Sequence, residues 1–312
     1  MQVLNGYKLT QDDVTLRDVH IKCAGQVGIS GSMKGGYIDN FTLRDSIVSG
    51  SLDVPGDVAQ TSEKWGARVF NMRNGLVANT IFRYIEEEHG FYLGRAGNFR
   101  FIRSQFIQCG SQGIQDAQRE IDSIEGRLAN VQCLLEVLAC KFDRCAMPQG
   151  ARQSWNLTIF GWDDNLRQWY PDGPLILTPQ GTPQKGHFVR SLTDVVVAGC
   201  EFIGKDYPHL ASGNRQCDST GAILIGDRFN ADVTGCRFDF TRPDREVVQL
   251  RNIENAYMND CDFGPGNDIV LHDMDNCHVK IENCRGDGDI RRRVLGAHTS
   301  TFLAKITAGY SH

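Results

Sequence analysis

"LRDSIVSG" at residues 43–50 repeats the grammar of "LRDVHIKC" at 16–23, displaced by 27 residues. Slid along the chain, this echo gives a template. Two apolar residues alternate with free positions; then come Asp, Asn or Gly, then Cys, Ser or Thr, a free position, and Phe, Ile or Val. It fits "TLRDVHI", "TLRDSIV", "LVANTIF", "RFIRSQF", "EVLACKF", "VVVAGCEF", "DVTGCRF", "YMNDCDF" and "HVKIENC". One column of the alignment reads Val19, Ser46, Thr80, Ser104, Cys140, Cys200, Cys236, Cys261, Cys284. Two residues on, another reads Ile21, Val48, Phe82, Phe106, Phe142, Phe202, Phe238, Phe263, then breaks at Gly286. Six residues before the first column stand Asp13, Asn40, Asn74, Asn98, Asp194, Asn230 and Asn255, with Leu134 spoiling the row.

Alternation within each match puts every second side chain on one face, as a strand requires. Units spaced mostly 23 to 36 residues apart cannot each bury a core, so they must stack. Stacked strands lie about 4.8 Å apart, and equivalent residues fall above one another. The Phe column then stacks rings inside the coil, and the Cys/Ser/Thr column packs small groups where volume is tight. The Asn/Asp column serves a turn, and its amides can bond one another as a ladder. A second strand precedes several matches: "GFYLGR" at 90–95, "GAILIG" at 221–226, "EVVQLRN" at 246–252 and "NDIVLHD" at 267–273. Each unit therefore carries at least two strands with an Asn-containing corner between them.

These features resemble the right-handed parallel β-helix superfamily, the pectate-lyase-like fold. The resemblance implies an all-β chain, a single-stranded right-handed solenoid over residues 1–290. Asn40, Asn74, Asn98, Asn230 and Asn255 would form a ladder along one corner. Residues 291–312 leave the repeat, and they are expected to cap the open end of the coil or to act as an assembly tail.

The charge balance of 33 basic and 38 acidic residues, net −5, points to neither nucleic acid nor an anionic membrane as partner. No apolar run approaches the roughly 18–20 residues that span a bilayer. The start "MQVLNGYKLTQDD" shows no secretory leader. Eleven cysteines, an odd number without CxxC pairs, read as reduced, buried thiols of a protein made in a cytoplasm.

Two long insertions interrupt the repeat, at about 111–132 and 162–186. In the first, Ile114, Ala117, Ile121, Ile124, Leu128 and Val131 recur at heptad spacing. They read either as a helix packed on a partner chain or as a lateral excursion on the coil itself. In the second, Trp162, Trp169 and Tyr170 sit among Asp163, Asp164, Arg167 and Asp172. Aromatic faces beside carboxylates suit carbohydrate, a protein contact, or simple anchoring of the loop.

Catalytic groups are sparse. Glu87 and His89 in "RYIEEEHGFYLGR", with Asp163 and Asp164, are weak acid–base candidates. His89 before Gly90 also reads as a plain corner. Under a lyase reading, Ca²⁺ would need carboxylates from neighbouring rungs, and Asp260, Asp262, Asp273, Asp275, Asp287 and Asp289 offer such a stripe. Otherwise no metal or cofactor is expected. HExxH, P-loop, GxSxG and zinc spacings do not occur. Two readings remain open. One is a structural, virion-associated protein such as a phage capsid decoration or tail-associated subunit. It would be assembled in the host cytoplasm, with self-association, for example as a trimer, and a capsid-like assembly as partners. The other is a polysaccharide lyase or hydrolase of the tailspike depolymerase type, acting on an acidic glycan and secreted without a visible leader.

Overall fold

The template's Asp/Asn/Gly position decides how each unit bends. In the computed structural model, Asp18, Asp45, Asn79, Arg103, Ala139, Gly199, Gly235 and Asp260 all adopt positive φ, between 47° and 62°. Non-glycine residues pay a steric cost there, least for Asn and Asp. Each such residue folds the template into two strands. In the first echo, Thr42–Arg44 lies on one face and Ile47–Ser49 on the next, with Asp45 at the hinge. Each turn therefore has three strands, one more than the two resolvable by alternation.

The structure describes residues 1–23, 27–31, 38–50, 65–85, 88–110, 112–117, 133–145, 155–160, 193–204, 221–240, 245–264, 267–272, 277–293 and 301–307. They form 28 strands, paired in parallel from one rung to the next, and no helix occurs among them. The chain is a parallel β-helix. Face one carries Thr42–Arg44, Gly75–Ala78, Phe99–Ile102 and Cys133–Leu138 in successive register. Face two carries Ile47–Ser49, Ile81–Ile85, Gln105–Cys109 and Lys141–Asp143. Face three carries Trp65–Arg73, Phe91–Ala96, Ile114–Ala117 and Trp155–Phe160. The longest strands, Gly221–Thr234 and Arg245–Asn259, run from face three into face one without a break.

The interior is a set of stacks. Phe82, Phe106, Phe142, Phe202, Phe238 and Phe263 lie ring on ring at 4.7–5.3 Å with interplanar angles of 5–12°. All six are fully buried, and offset stacks add to the stabilisation from burial alone. The Cys/Ser/Thr column does more than save space. On either side of it the backbone N–H groups bond to the next or preceding rung: Asn79 N to Ile102 O, and Gln105 N to Thr80 O. The column's own N–H is turned inward by the hinge and finds a side chain instead. Val19 N donates to Ser46 Oγ (3.2 Å), Thr80 N to Ser104 Oγ (3.3 Å) and Cys140 N to Cys200 Sγ (3.4 Å). Each hydroxyl or thiol in turn donates to the carbonyl two residues before it, as Ser46 Oγ does to Arg44 O and Cys200 Sγ to Ala198 O. The column thus satisfies buried backbone groups that the corner would otherwise orphan.

At the other corner of face one, Asn40 donates to Asp13, Asn98 to Asn74, Asn230 to Asp194 and Asn255 to Asn230, at 2.8–3.5 Å. Where Leu134 interrupts the row, its backbone N–H donates to Asn98 Oδ1 at 3.0 Å.

Two readings need correction. The repeat stops at Cys284, but the coil does not. Ile290–Arg293 pairs with Asn267–His272, and Thr301–Thr307 pairs with His278–Arg285. Parallel pairing needs only backbone register, so it outlasts the side-chain signature. The heptad also loses its first two positions: Ile114–Ala117 is a strand on face three, with Ile114 buried between Phe91 and Leu157. Residue 111 and residues 118–132 of that insertion, and all of the one at 162–186, lie outside the described residues.

Candidate functional site

Of the weak acid–base candidates, Glu87, Asp163 and Asp164 lie outside the described residues, as do Trp162, Trp169 and Tyr170. His89 is described, and it is buried. Its Nδ1 accepts a hydrogen bond from Gln112 N at 3.3 Å, so the ring proton of the neutral form sits on Nε2, 3.5 Å from Glu88 Oε2. The ring stacks on Tyr92 (5.4 Å, 17°) and meets Trp65 edge-on (4.8 Å). His89 pins the corner ahead of face three, with both nitrogens facing protein groups.

His89 leads to a cluster that the sequence reading did not single out. Period-two alternation in "WGARVFNMR" puts Ala67 and Val69 inside, both fully buried, and Arg68 and Phe70 outside. Register places Arg68 beside Ser30 on the preceding rung and Tyr92 on the following one. The Arg68 guanidinium lies 4.9 Å from the Trp65 ring centroid and 5.2 Å from that of Phe70. Tyr92 closes the group, 5.2 Å from Trp65 and 5.6 Å from Phe70. Gly94 makes room for it: a Cβ there would come 2.3 Å from Phe70 Cδ1. Among the described residues no hydrogen bond or ion pair reaches the Arg68 guanidinium, and its Nε is enclosed without an acceptor.

A second unanticipated pair is internal. Asp116 takes an inward position, in register with the buried Leu93 and Ile159. Arg228 Nη2 donates to its Oδ2 at 2.9 Å, and Arg228 Nη1 to Gly226 O at 3.3 Å. Burial pushes the Asp116 carboxyl up to about 6, against the opposing pull of Arg228.

The described members of the acidic stripe do not converge. Asp260 sits at a hinge, Asp262 is in register with Arg285, and Asp268 Oδ1 accepts from Asp289 N. Asp273 and Asp275 lie outside the described residues. Among the described residues no three His, Cys, Asp or Glu side chains gather closely enough to hold a metal ion. The nine described cysteines are all buried thiols outside any disulfide; burial holds the Cys109 and Cys200 thiols well above their ordinary range.

No protein-family model matches the chain, and no curated protein does. Solved structures match in overall course. A Geobacillus virus E2 protein, ORF18, aligns at 13% identity and a TM-score of 0.46, over 96% of this chain and 50% of its own. The catalytic domain of a GH87 α-1,3-glucanase aligns at 12% identity and 0.38, over 97% of this chain and 63% of its own. The A-module of a mannuronan C-5 epimerase from Azotobacter vinelandii aligns at 10% and 0.23, over 97% and 90%. The chain spans half the length of the viral protein and less than two thirds of the glucanase domain. Likenesses this distant carry no argument about this chain; its fold stands on the strand pairing itself.

Proposed function

We propose that this chain is a structural β-helix protein that works through protein–protein contacts. In this reading it is a virion-associated subunit, such as a capsid decoration or tail-associated component, that self-associates as a trimer. The observation that carries the reading is how the most reactive-looking described groups are used. His89 is enclosed at a corner between Trp65, Tyr92 and Gln112. Asp116 is neutralised inside the coil by Arg228. These groups support the coil and do not converge on a cleft. The half-buried Trp65, Arg68 and Phe70, packed over the buried Tyr92, are residue types that anchor protein interfaces. Described thiols held outside any disulfide fit manufacture in a reducing cytoplasm.

A depolymerisation screen tests the reading. The full chain is incubated with uronate-containing capsular polysaccharides, alginate and α-1,3-glucan, and followed by reducing-end release and by absorbance of unsaturated products. The reading expects no turnover on any of them. Steady cleavage of an acidic glycan would replace it with the lyase or hydrolase alternative.

A further inference from the structure

Arg68 is an odd cation. It stands on the outer surface of face three, clamped between two rings, and no described group neutralises it. Three outward arginines elsewhere in the coil have carboxylates: Arg73 pairs with Asp39 at 2.6 Å, Arg100 with Glu136 at 2.6 Å, and Arg44 with Asp45 at 3.0 Å. Among the described residues, Arg103, Arg237 and Arg285 have none but are exposed to water, whereas Arg68 is half-buried between rings. Stacking on Trp65 and Phe70 holds the guanidinium plane in place, so little ordering entropy remains to be lost on binding. A rigid, half-buried guanidinium without a counter-ion presents a fixed fork of donors to a planar anion.

We propose that Arg68, set between Trp65 and Phe70 above the buried Tyr92, is a docking point for a carboxylate side chain of a partner protein. The occupant is an Asp or Glu flanked by apolar residues, which would cover the ring edges around the guanidinium. The proposal rests on the protein-contact reading and names the chemistry of one contact. Charge complementarity selects the carboxylate. The state of the rings selects protein over sugar. A sugar would need a bare aromatic face, but Arg68 lies over both Trp65 and Phe70, and His89 covers one face of Tyr92. What the cluster offers is a charged fork ringed by aromatic edges.

The test follows the Arg68 Nε–H resonance in the full chain, assigned by its loss in Arg68→Gln. The probes are acetyl-Leu-Glu-Phe-amide, its Gln counterpart, and digalacturonate. The Glu peptide is expected to give a saturable shift, with affinity at least about tenfold above that of the Gln peptide, as a charge-assisted hydrogen bond implies. Arg68→Gln should abolish that preference. Arg68→Lys, which keeps the charge but loses the planar fork, should retain only a part of it. Circular dichroism and melting of both variants check that the coil is intact. Absence of a saturable shift at low millimolar Glu peptide, equal binding of the Glu and Gln peptides, or tighter binding of digalacturonate would each overturn the proposal. If the chain self-associates and turns over no glycan while Arg68 ignores the Glu peptide, this contact fails and the broader reading stands.

Discussion

Asp116 and Arg228 are separated by 112 residues of sequence and meet inside the coil at 2.9 Å, both almost wholly buried. Ile159 is in register between Asp116 and Ile225, so Arg228, three residues beyond Ile225, reaches back across a whole rung. The pair fixes which rung lies over which at a corner from which two long insertions depart. Because the folded carboxyl sits at about 6 rather than 3.8, protonation favours the folded state. This group's contribution is therefore full below about pH 4, declines as pH rises through about 6, and is flat above.

Breaking the pair should be costly and pH-dependent. Arg228→Met leaves a buried carboxylate uncompensated and is expected to destabilise by about 3–5 kcal/mol at pH 8. The loss should be smaller at pH 5, where Asp116 can take up a proton. The double variant Asp116→Leu/Arg228→Met should recover most of it. Urea unfolding at both pH values measures the cycle; a double variant as unstable as the single one would contradict the assignment.

The hydroxyl column makes a separate prediction. Ser104→Ala removes the acceptor for the buried Thr80 N–H and should cost about 1–3 kcal/mol. Ser104→Cys should cost less, because the chain itself places Cys200 Sγ in the equivalent role for Cys140 N. Equal losses for the two would show that volume alone matters in this column.

The hinge can be tested through backbone conformation. Asn79 has φ of +49° and donates to Asp45 Oδ1 at 3.0 Å from an exposed position. Asn79→Gly should be nearly neutral, whereas Asn79→Ala should cost about 1–2 kcal/mol in strain. Thermal melts that rank alanine above glycine would refute the left-handed hinge.

The thiols should behave as packing groups. Native protein is expected to react slowly with a disulfide reagent at the described cysteines, which are buried and, for Cys109 and Cys200, held protonated. After denaturation without reductant, at least the nine described thiols should titrate. A count lower than nine would reveal a disulfide.

Much of this architecture is legible because stacking writes columns into the sequence. The Phe column and the Asn row are visible since each position repeats the same environment once per turn. The third strand is hidden because the hinge costs only one residue: Leu43 faces inward, Asp45 does not, and the inward positions resume at Ser46 and Val48, so two short strands read as one. The role of Ser104 or Cys200 is also hidden, since a small polar residue inside a coil looks like a volume constraint until the orphaned N–H is seen. Asp116 and Arg228 carry no local signal at all: neither belongs to a column, and only the coil's register brings them together. Arg68 and Phe70 were readable as outward residues by alternation, but their stacking needed the geometry of Gly94 and Tyr92.

The central claim is that this coil works by associating with other protein chains. Sedimentation velocity of the full chain across the micromolar range tests it most directly. The account predicts a discrete species at three times the chain mass that persists on dilution. A single monomeric boundary at every concentration, from protein that also depolymerises an acidic glycan, would contradict it.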